Sequence, residues 1–279
     1  MKSHINALHY FGVEVQTMQS LQEIFDYIYE NKAEKVLIPE GWSQGRAAYG
    51  GLVAAAASSS MISMLGDDAP PIRSFMGSFV APASPGDCML DARLVRQGKN
   101  VSQLASNVIA NDKVCFQSMA LFGANRDTKS VVPNFSFNPE PRDSVPPLVP
   151  NPMMPPFLSK FDCHWSGGGI PLSGSKDRRL GLWVRHRSDM SRYPVEKIIS
   201  ICDFPPPIML SHYTKPVMVS SLSWSLEFLM PVQDIKSDWF YLDFNLDAAA
   251  NGYSQQSGYV FTEDGQLCAL SRQCMVYFE

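Results

Sequence analysis

Residues 50–66 read GGLVAAAASSSMISMLG. The stretch opens on a glycine pair, closes on Gly66 and carries no charged side chain, so it reads as a helix that is small and apolar nearly all round. Such a helix is enclosed by other structure and does not lie on a surface. It is too short to span a bilayer, which takes roughly 20 apolar residues, and Ser58, Ser59, Ser60 and Ser63 interrupt it. Downstream, residues 72–80, 88–96, 102–110 and 114–122 alternate apolar with polar side chains as strands do. Turn chemistry separates them at Ser84-Pro85-Gly86-Asp87, Gln97-Gly98-Lys99-Asn100 and Asn111-Asp112. An enclosed helix followed by an antiparallel meander predicts a curved sheet wrapped around that helix, an α+β arrangement. Upstream, Leu21, Ile24, Phe25 and Ile28 fall on one face of a docking helix within residues 18–32, with Thr17 or Ser20 as N-cap.

The pattern stops between residues 125 and 156, where nine prolines fall in 32 positions. Proline removes donors and resists helix and sheet interiors, so this segment is expected to run extended over the surface. Beyond it the grammar repeats: strands near 157–165 and 178–186, a helix opening at Pro194, then strands near 217–228, 239–248, 254–262 and 267–278. The turn Glu263-Asp264-Gly265-Gln266 corresponds to Ala110-Asn111-Asp112-Lys113, and Asn251-Gly252-Tyr253-Ser254 to Lys99-Asn100-Val101-Ser102. The expected organisation is an internal duplication, with repeats at 1–124 and 157–279 joined by a linker at 125–156.

With 279 residues, 45% hydrophobic content and a formal charge of -4, the chain has a substantial core and no broad basic surface for nucleic acid. The first residues lack a secretory signal pattern, and the six cysteines include no C-x-x-C pair, which excludes a signalled zinc site or disulfide framework. These features predict a cytoplasmic protein without membrane insertion, metal or cofactor.

Several separated segments resemble the acyl-CoA thioesterase II-like family: GRAAYGGLVAAAA (45–57), IRSFMGSFVAPASPGD (72–87) and LVRQGKNVSQLASNVIANDKVCFQSMALF (94–122) in the first half. In the second half they are LWVRHR (182–187), ISICDFPPP (199–207), SLSWSLEFLMP (221–231) and NGYSQQSGYVFTEDGQLCALSRQCMVYF (251–278). The resemblance implies a double hot-dog fold, hydrolysis of fatty acyl-CoA as part of lipid metabolism, and a water held by an Asp, a Thr or Ser, and a Gln. Matched motif by motif, those residues are Asp203, Ser221 and Gln273. The hydroxyl position is often Thr in the family, and Ser lacks the methyl that fixes its rotamer. The proline run after Asp203 also departs from the simplest family pattern.

The residues support that chemistry on their own terms. Asp203 is a candidate general base, with Gln273 and Ser221 orienting the water. The amides at Gly50 and Gly51 offer a positive helix end to a thioester carbonyl. Aligning the final strands puts Ala120 at the position of Gln273, and the helix of the first half has no counterpart to Asp203, so one composite site per chain is expected. Trp42 and Tyr49 are candidate pocket or interface aromatics, and Arg46, with Arg73, Arg96 and Lys99, a candidate contact for CoA phosphates. Plainer roles stand beside these: Asp203 capping the turn before Pro205, Ser221 as an ordinary strand hydroxyl, Gln273 on a solvated face.

Gly41-Trp42-Ser43-Gln44-Gly45 matches the G-x-S-x-G of a nucleophile elbow, but Pro39 and Glu40 interrupt the preceding strand and the helix starts late, so Ser43 reads as part of an entry loop. Competing readings are an enoyl-thioester hydratase, which needs His186 or His212 beside Asp203, and a non-catalytic acyl-CoA binding protein. A homodimer or higher homo-oligomer is expected, because curved antiparallel sheets leave edges and faces that favour pairing.

Overall fold

The computed structural model describes residues 20–279; Thr17 and Met18 lie outside the described residues. In chain order the elements are α1 (Leu21–Asn31), β1 (Lys35–Ile38), β2 (Ser43–Gln44), β3 (Ala47–Ala48), α2 (Gly50–Leu65), β4 (Ile72–Phe79), β5 (Gly86–Gln97), β6 (Val101–Ala110) and β7 (Lys113–Gly123). They continue with β8 (Phe161–Gly167), β9 (Arg179–His186), α3 (Pro194–Cys202), β10 (Met218–Phe228), β11 (Phe240–Ala250), β12 (Tyr253–Thr262) and β13 (Leu267–Phe278).

Eleven strands form one antiparallel sheet in the order β1-β5-β6-β7-β4-β10-β13-β12-β11-β9-β8. The order mirrors itself about the β4–β10 pair, where Phe75 faces Leu226 and Gly77 faces Trp224. Each repeat therefore runs outward from the centre: β4, β7, β6, β5, β1 on one side and β10, β13, β12, β11, β9 on the other, where β8 adds one further strand at the edge. The hairpin turns are set by residues that accept left-handed backbone, Asn111 and Asp112 between β6 and β7 and Asn251 and Gly252 between β11 and β12.

The helix that decides the fold is enclosed as its composition demands. Every residue of α2 from Gly51 to Ser59 is buried, together with Met61, and the helix packs on β5, β6, β7 and α3. Its buried hydroxyls bond within the helix, Ser58 Oγ to the Ala55 carbonyl at 2.7 Å and Ser59 Oγ to Ala56 at 2.9 Å, which removes the penalty of burying them. Gly66, at φ 78°, ends it. Helix α1 starts at a capping box in which Ser20 and Glu23 each receive the other's backbone N–H. It buries Leu21, Ile24, Phe25 and Ile28, and Tyr29 stacks on Tyr193 just before α3 at 5.5 Å.

Between β7 and β8 the chain forms no strand, and its first part lies across the outer face of the second repeat. Phe135 meets Tyr259, Phe137 packs against Trp183, Tyr241 and Phe261, and the Trp183 indole donates to the Glu140 carbonyl. Near its end the expected strand at 157–165 starts late. Pro155 and Pro156 initiate a 3-10 turn through Lys160, which drives Phe157 inward, and pairing begins only at Phe161.

Helices α2 and α3 meet where α2 begins. A Cβ on Gly51 would stand 2.7 Å from the Ser200 carbonyl oxygen of α3 and 2.6 Å from the Tyr49 ring. Gly51→Ala is expected to pry the helices apart and cost about 1–3 kcal/mol by overpacking, measured by urea unfolding.

Candidate active site

Asp203 is the first residue past α3, and its backbone (φ -93°, ψ 0°) still follows the helix. Helix α3 stops here because Pro205, Pro206 and Pro207 bring no N–H to continue it. That stop places the carboxyl group against the first turn of α2, in the other repeat. Gln273 Nε2 donates to Asp203 Oδ1 at 2.6 Å, and the Gly51 backbone N–H faces the same carboxylate and favours its ionised form. A Cβ on Gly50 would lie 2.7 Å from Asp203 Oδ2 and 2.9 Å from the Phe79 ring, so the carboxylate occupies space that only glycine leaves free. Burial penalises the charged form and pushes the Asp203 carboxyl up to about 7, with the Gln273 and Gly51 donors pulling the other way.

Gln273 lies on β13, 4% exposed, opposite Trp224 of β10. Ser221 reaches the same inner face by a less direct route. The β10–β13 register shifts between Ser221 and Ser223, leaving Leu222 as the extra residue of a bulge, so that Ser221 pairs with Met275, two residues on from Gln273. Without that bulge, strand alternation would turn Ser221 away from the side occupied by Trp224. Ser221 is half-buried, and among the described residues its hydroxyl makes no hydrogen bond to Asp203 or Gln273. The first repeat has the same bulge: β4 shifts between Ile72 and Ser74, with Ile72 opposite Phe122. The position of Ser221 is thus filled by Ile72 in the first repeat. That of Gln273 is filled by Ala120, which pairs with Phe75 as Gln273 pairs with Trp224.

The other candidates fall in three places. Gly50 and Gly51 touch Asp203 as described. Trp42 and Tyr49 are wholly buried at the junction of the repeats, where Tyr49 stacks on Phe157 at 4.2 Å and Trp42 meets Phe161 edge-on at 6.1 Å. The Tyr49 hydroxyl donates to the Ser200 carbonyl, so this ring ties α2 to α3. Arg46 is exposed between β2 and β3, and Arg96 and Lys99 are exposed at the end of β5 and in the turn after it. Arg73 bonds the Gly123 carbonyl and Asn125 at the end of β7. Ser43 sits in the two-stranded β2–β3 hairpin opposite Ala48, with no strand-to-helix elbow around it. Both histidines bond elsewhere than to Asp203. His212 meets the Asp177 carbonyl at 2.9 Å, and His186, buried against Phe161, meets Ser200 Oγ at 3.0 Å.

Two residues beside the carboxylate have no sequence forecast. Phe79 covers the start of α2 and packs on Phe116 at 4.8 Å; nothing in its strand pattern marks it. Gln256, fully buried on β12, contacts Gln273, its Nε2 3.5 Å from Gln273 Oε1. An amide at an inward parity position among Ser254, Gly258 and Val260 was the available signal.

Comparison with known proteins matches both repeats. The model described as the acyl-CoA thioesterase N-terminal domain covers residues 38–123, and that of the acyl-CoA thioesterase C-terminal domain covers residues 137–277. No curated protein matches the sequence significantly. Among solved structures, a hot-dog protein from Alicyclobacillus acidocaldarius superposes with a TM-score of 0.78 at 18% identity, covering 88% of this chain and 92% of that one. A protein described as a putative thioesterase II, from Thermobifida fusca, gives 0.76 at 15% identity over 91% and 97%. An acyl-CoA thioesterase II from Mycobacterium marinum gives 0.68 at 18% identity over 88% and 92%. At these identities the superpositions establish the fold, a hot-dog repeated twice. With a family model spanning each repeat, the chain belongs to the acyl-CoA thioesterase family.

Proposed function

We propose that this acyl-CoA thioesterase hydrolyses its substrate with Asp203 as general base, Gln273 and Ser221 as its polar partners, and the start of α2 as the carbonyl-binding end. The observation that carries the reading is the 2.6 Å hydrogen bond joining Gln273 to the half-buried Asp203 carboxylate at the tip of the other repeat's helix. Ionised Asp203 takes a proton from water as that water attacks the thioester carbonyl carbon. Negative charge then develops on the carbonyl oxygen, and the Gly50 N–H, at the positive end of α2, is assigned to it, because the Gly51 N–H already serves Asp203. Collapse of the tetrahedral intermediate breaks the carbon–sulfur bond, and the proton held by Asp203 passes to the departing CoA sulfur.

Ser221 supplies a hydroxyl on the face that carries Gln273, suited to holding the attacking water. Fatty acyl chains are the proposed substrates, and Phe79 is the apolar side chain nearest the reacting end. Buried free cysteines fit a reducing compartment, and no helix among the described residues is long and apolar enough to cross a membrane; we place the reaction in the cytoplasm. Met76, Met89 and Met119 are exposed on β4, β5 and β7 of the first repeat. A second copy of the chain is the proposed partner for that face, which supports a homo-oligomer. No observation favours the hydratase reading.

Thiol release from a series of acyl-CoAs tests the activity. With the base titrating at about 7, kcat/KM is expected to rise with pH through that value and level off above it. Asp203→Asn is expected to lower kcat about 100-fold to 10,000-fold, whereas Ser43→Ala leaves it unchanged; loss of activity in Ser43→Ala with retention in Asp203→Asn would overturn the assignment.

The same substitution has a stability signature. The Asp203 carboxyl is raised from 3.8 to about 7 on folding, so its contribution is fully present below pH 4 and is lost as pH rises through 7. An amide in its place would stay neutral throughout. Asp203→Asn is therefore expected to raise Tm by several degrees at pH 8 and to leave it near the wild-type value at pH 4, as measured by calorimetry.

A further inference from the structure

The three prolines after Phe204 carry no backbone donor, so Ile208 has the first N–H beyond Phe204. That N–H donates to Gln256 Oε1 at 3.0 Å. An amide whose oxygen is occupied must present its NH₂ on the other side, and there Gln256 Nε2 meets Gln273 Oε1 at 3.5 Å. The contact is long, at the limit of hydrogen bonding, but its polarity is fixed. Gln273 in turn has its oxygen facing a donor, so its own NH₂ is the group left to face Asp203, as the 2.6 Å bond requires. A direction of donation thus runs from the Ile208 backbone through two amides to the carboxylate.

The duplication offers an internal comparison. Gln256 pairs with Gln273 across β12 and β13, and the corresponding rung of the first repeat pairs Leu104 with Ala120 across β6 and β7. Both members of that rung are completely buried and apolar, in the copy that has no carboxylate to orient. Filling the position with an amide is therefore not a demand of the fold. A buried amide tolerates this place only when its groups are bonded, and here they are bonded toward Asp203.

We infer that Gln256 is a positioning residue, which locks the Gln273 amide in the orientation that donates to Asp203 and couples it to the segment following α3. The inference rests on Asp203 as the proposed base, but its effect is read on the carboxyl group itself. Removing the Gln256 donor frees Gln273 to rotate, which weakens donation to the ionised form of Asp203 and raises its pKa.

The test is a carboxyl titration by NMR of full-length protein labelled with ¹³C-aspartate, the Asp203 resonance being assigned by its loss in Asp203→Asn. Gln256→Met keeps the volume and removes the donor; Gln256→Leu, the residue found at this rung of the first repeat, replaces it if the methionine variant does not fold. The Asp203 pKa is expected to rise by about half a unit to one unit in the Gln256 variant, and by more in Gln273→Met. In the Gln273→Met background, adding the Gln256 substitution is expected to change it no further, because the amide through which it acts is gone. The acid limb of kcat/KM should follow the same order, with KM unaltered.

An unchanged Asp203 titration in the Gln256 variant, or a shift that adds in full to that of Gln273→Met, would overturn the positioning role while leaving the thioesterase reading standing. Absence of acyl-CoA turnover in the wild type, combined with the non-additive pKa shift, would do the reverse.

Discussion

The structure depends on one contact: the end of α3 delivers a carboxylate onto the first turn of α2. Two helix ends act on Asp203 in opposite senses. The α2 N-terminus, through the Gly51 N–H, favours negative charge, whereas the carbonyl end of α3, from which Asp203 projects, disfavours it. Burial adds to the second effect. The outcome is a carboxyl group poised at about 7. The contact also dictates local sequence. Gly50 and Gly51 must lack side chains because Asp203 Oδ2 and the Ser200 carbonyl stand where a Cβ would be. Tyr49 reaches across to Ser200, and three prolines end α3 at the residue that must turn toward its partner.

A duplicated fold makes the contact possible without duplicating the chemistry. Both repeats have the central bulge and the same ladder of rungs, and three inward positions distinguish them. Ile72, Leu104 and Ala120 in the first repeat are replaced by Ser221, Gln256 and Gln273 in the second. The first set lies under a helix of small side chains and closes an apolar core. The second faces the point where α3 stops early and a carboxylate takes the place of another helical turn. The first repeat retains the long helix because its N-terminus serves the neighbour's carboxylate, and the second shortens its helix to supply one. The proposed site thus draws on both repeats, which are also joined through the β4–β10 pair.

The strands and the enclosed helix were legible because their signals are local: alternation along each strand, glycines at both ends of α2, and turn residues between. Strand order was not, since the pairing of β4 with β10 depends on contacts far apart in sequence. Asp203 and Gln273 were legible from motif resemblance and from the mismatch between repeats, and the structure places them in contact. The direction in which Ser221 points was hidden, because a one-residue bulge reverses strand parity and leaves no reliable mark in a run of serines. Gln256 was hidden for a different reason. Its neighbour Gln255, half-buried, is the same residue type, and only strand register decides which of the two faces Gln273. Trp42 and Tyr49 were recognisable as aromatics near the entry to α2, but only the arrival of Phe157 and Phe161 from the second repeat determines that they are enclosed.

Helix α3 holds a buried carboxyl group of its own, and it bears on the Asp203 carboxyl that follows the helix. Glu196 is 1% exposed, accepts the Tyr29 hydroxyl at 2.5 Å, and is likewise pushed up to about 7 by burial. Carboxyl groups within this short helix and just past it both resist ionisation, so the fold is less stable on the alkaline side, where Asp203, the proposed base, is charged. Stability and base strength therefore pull in opposite directions along a single helix. What holds α3 in place against that opposition is apolar: Val195, Ile198, Ile199, Ile201 and Cys202 are all buried, wedged between the sheet and α2. The enclosing sheet is thus part of the chemistry, because only a helix gripped on every side can keep a carboxylate where its charge is unwelcome.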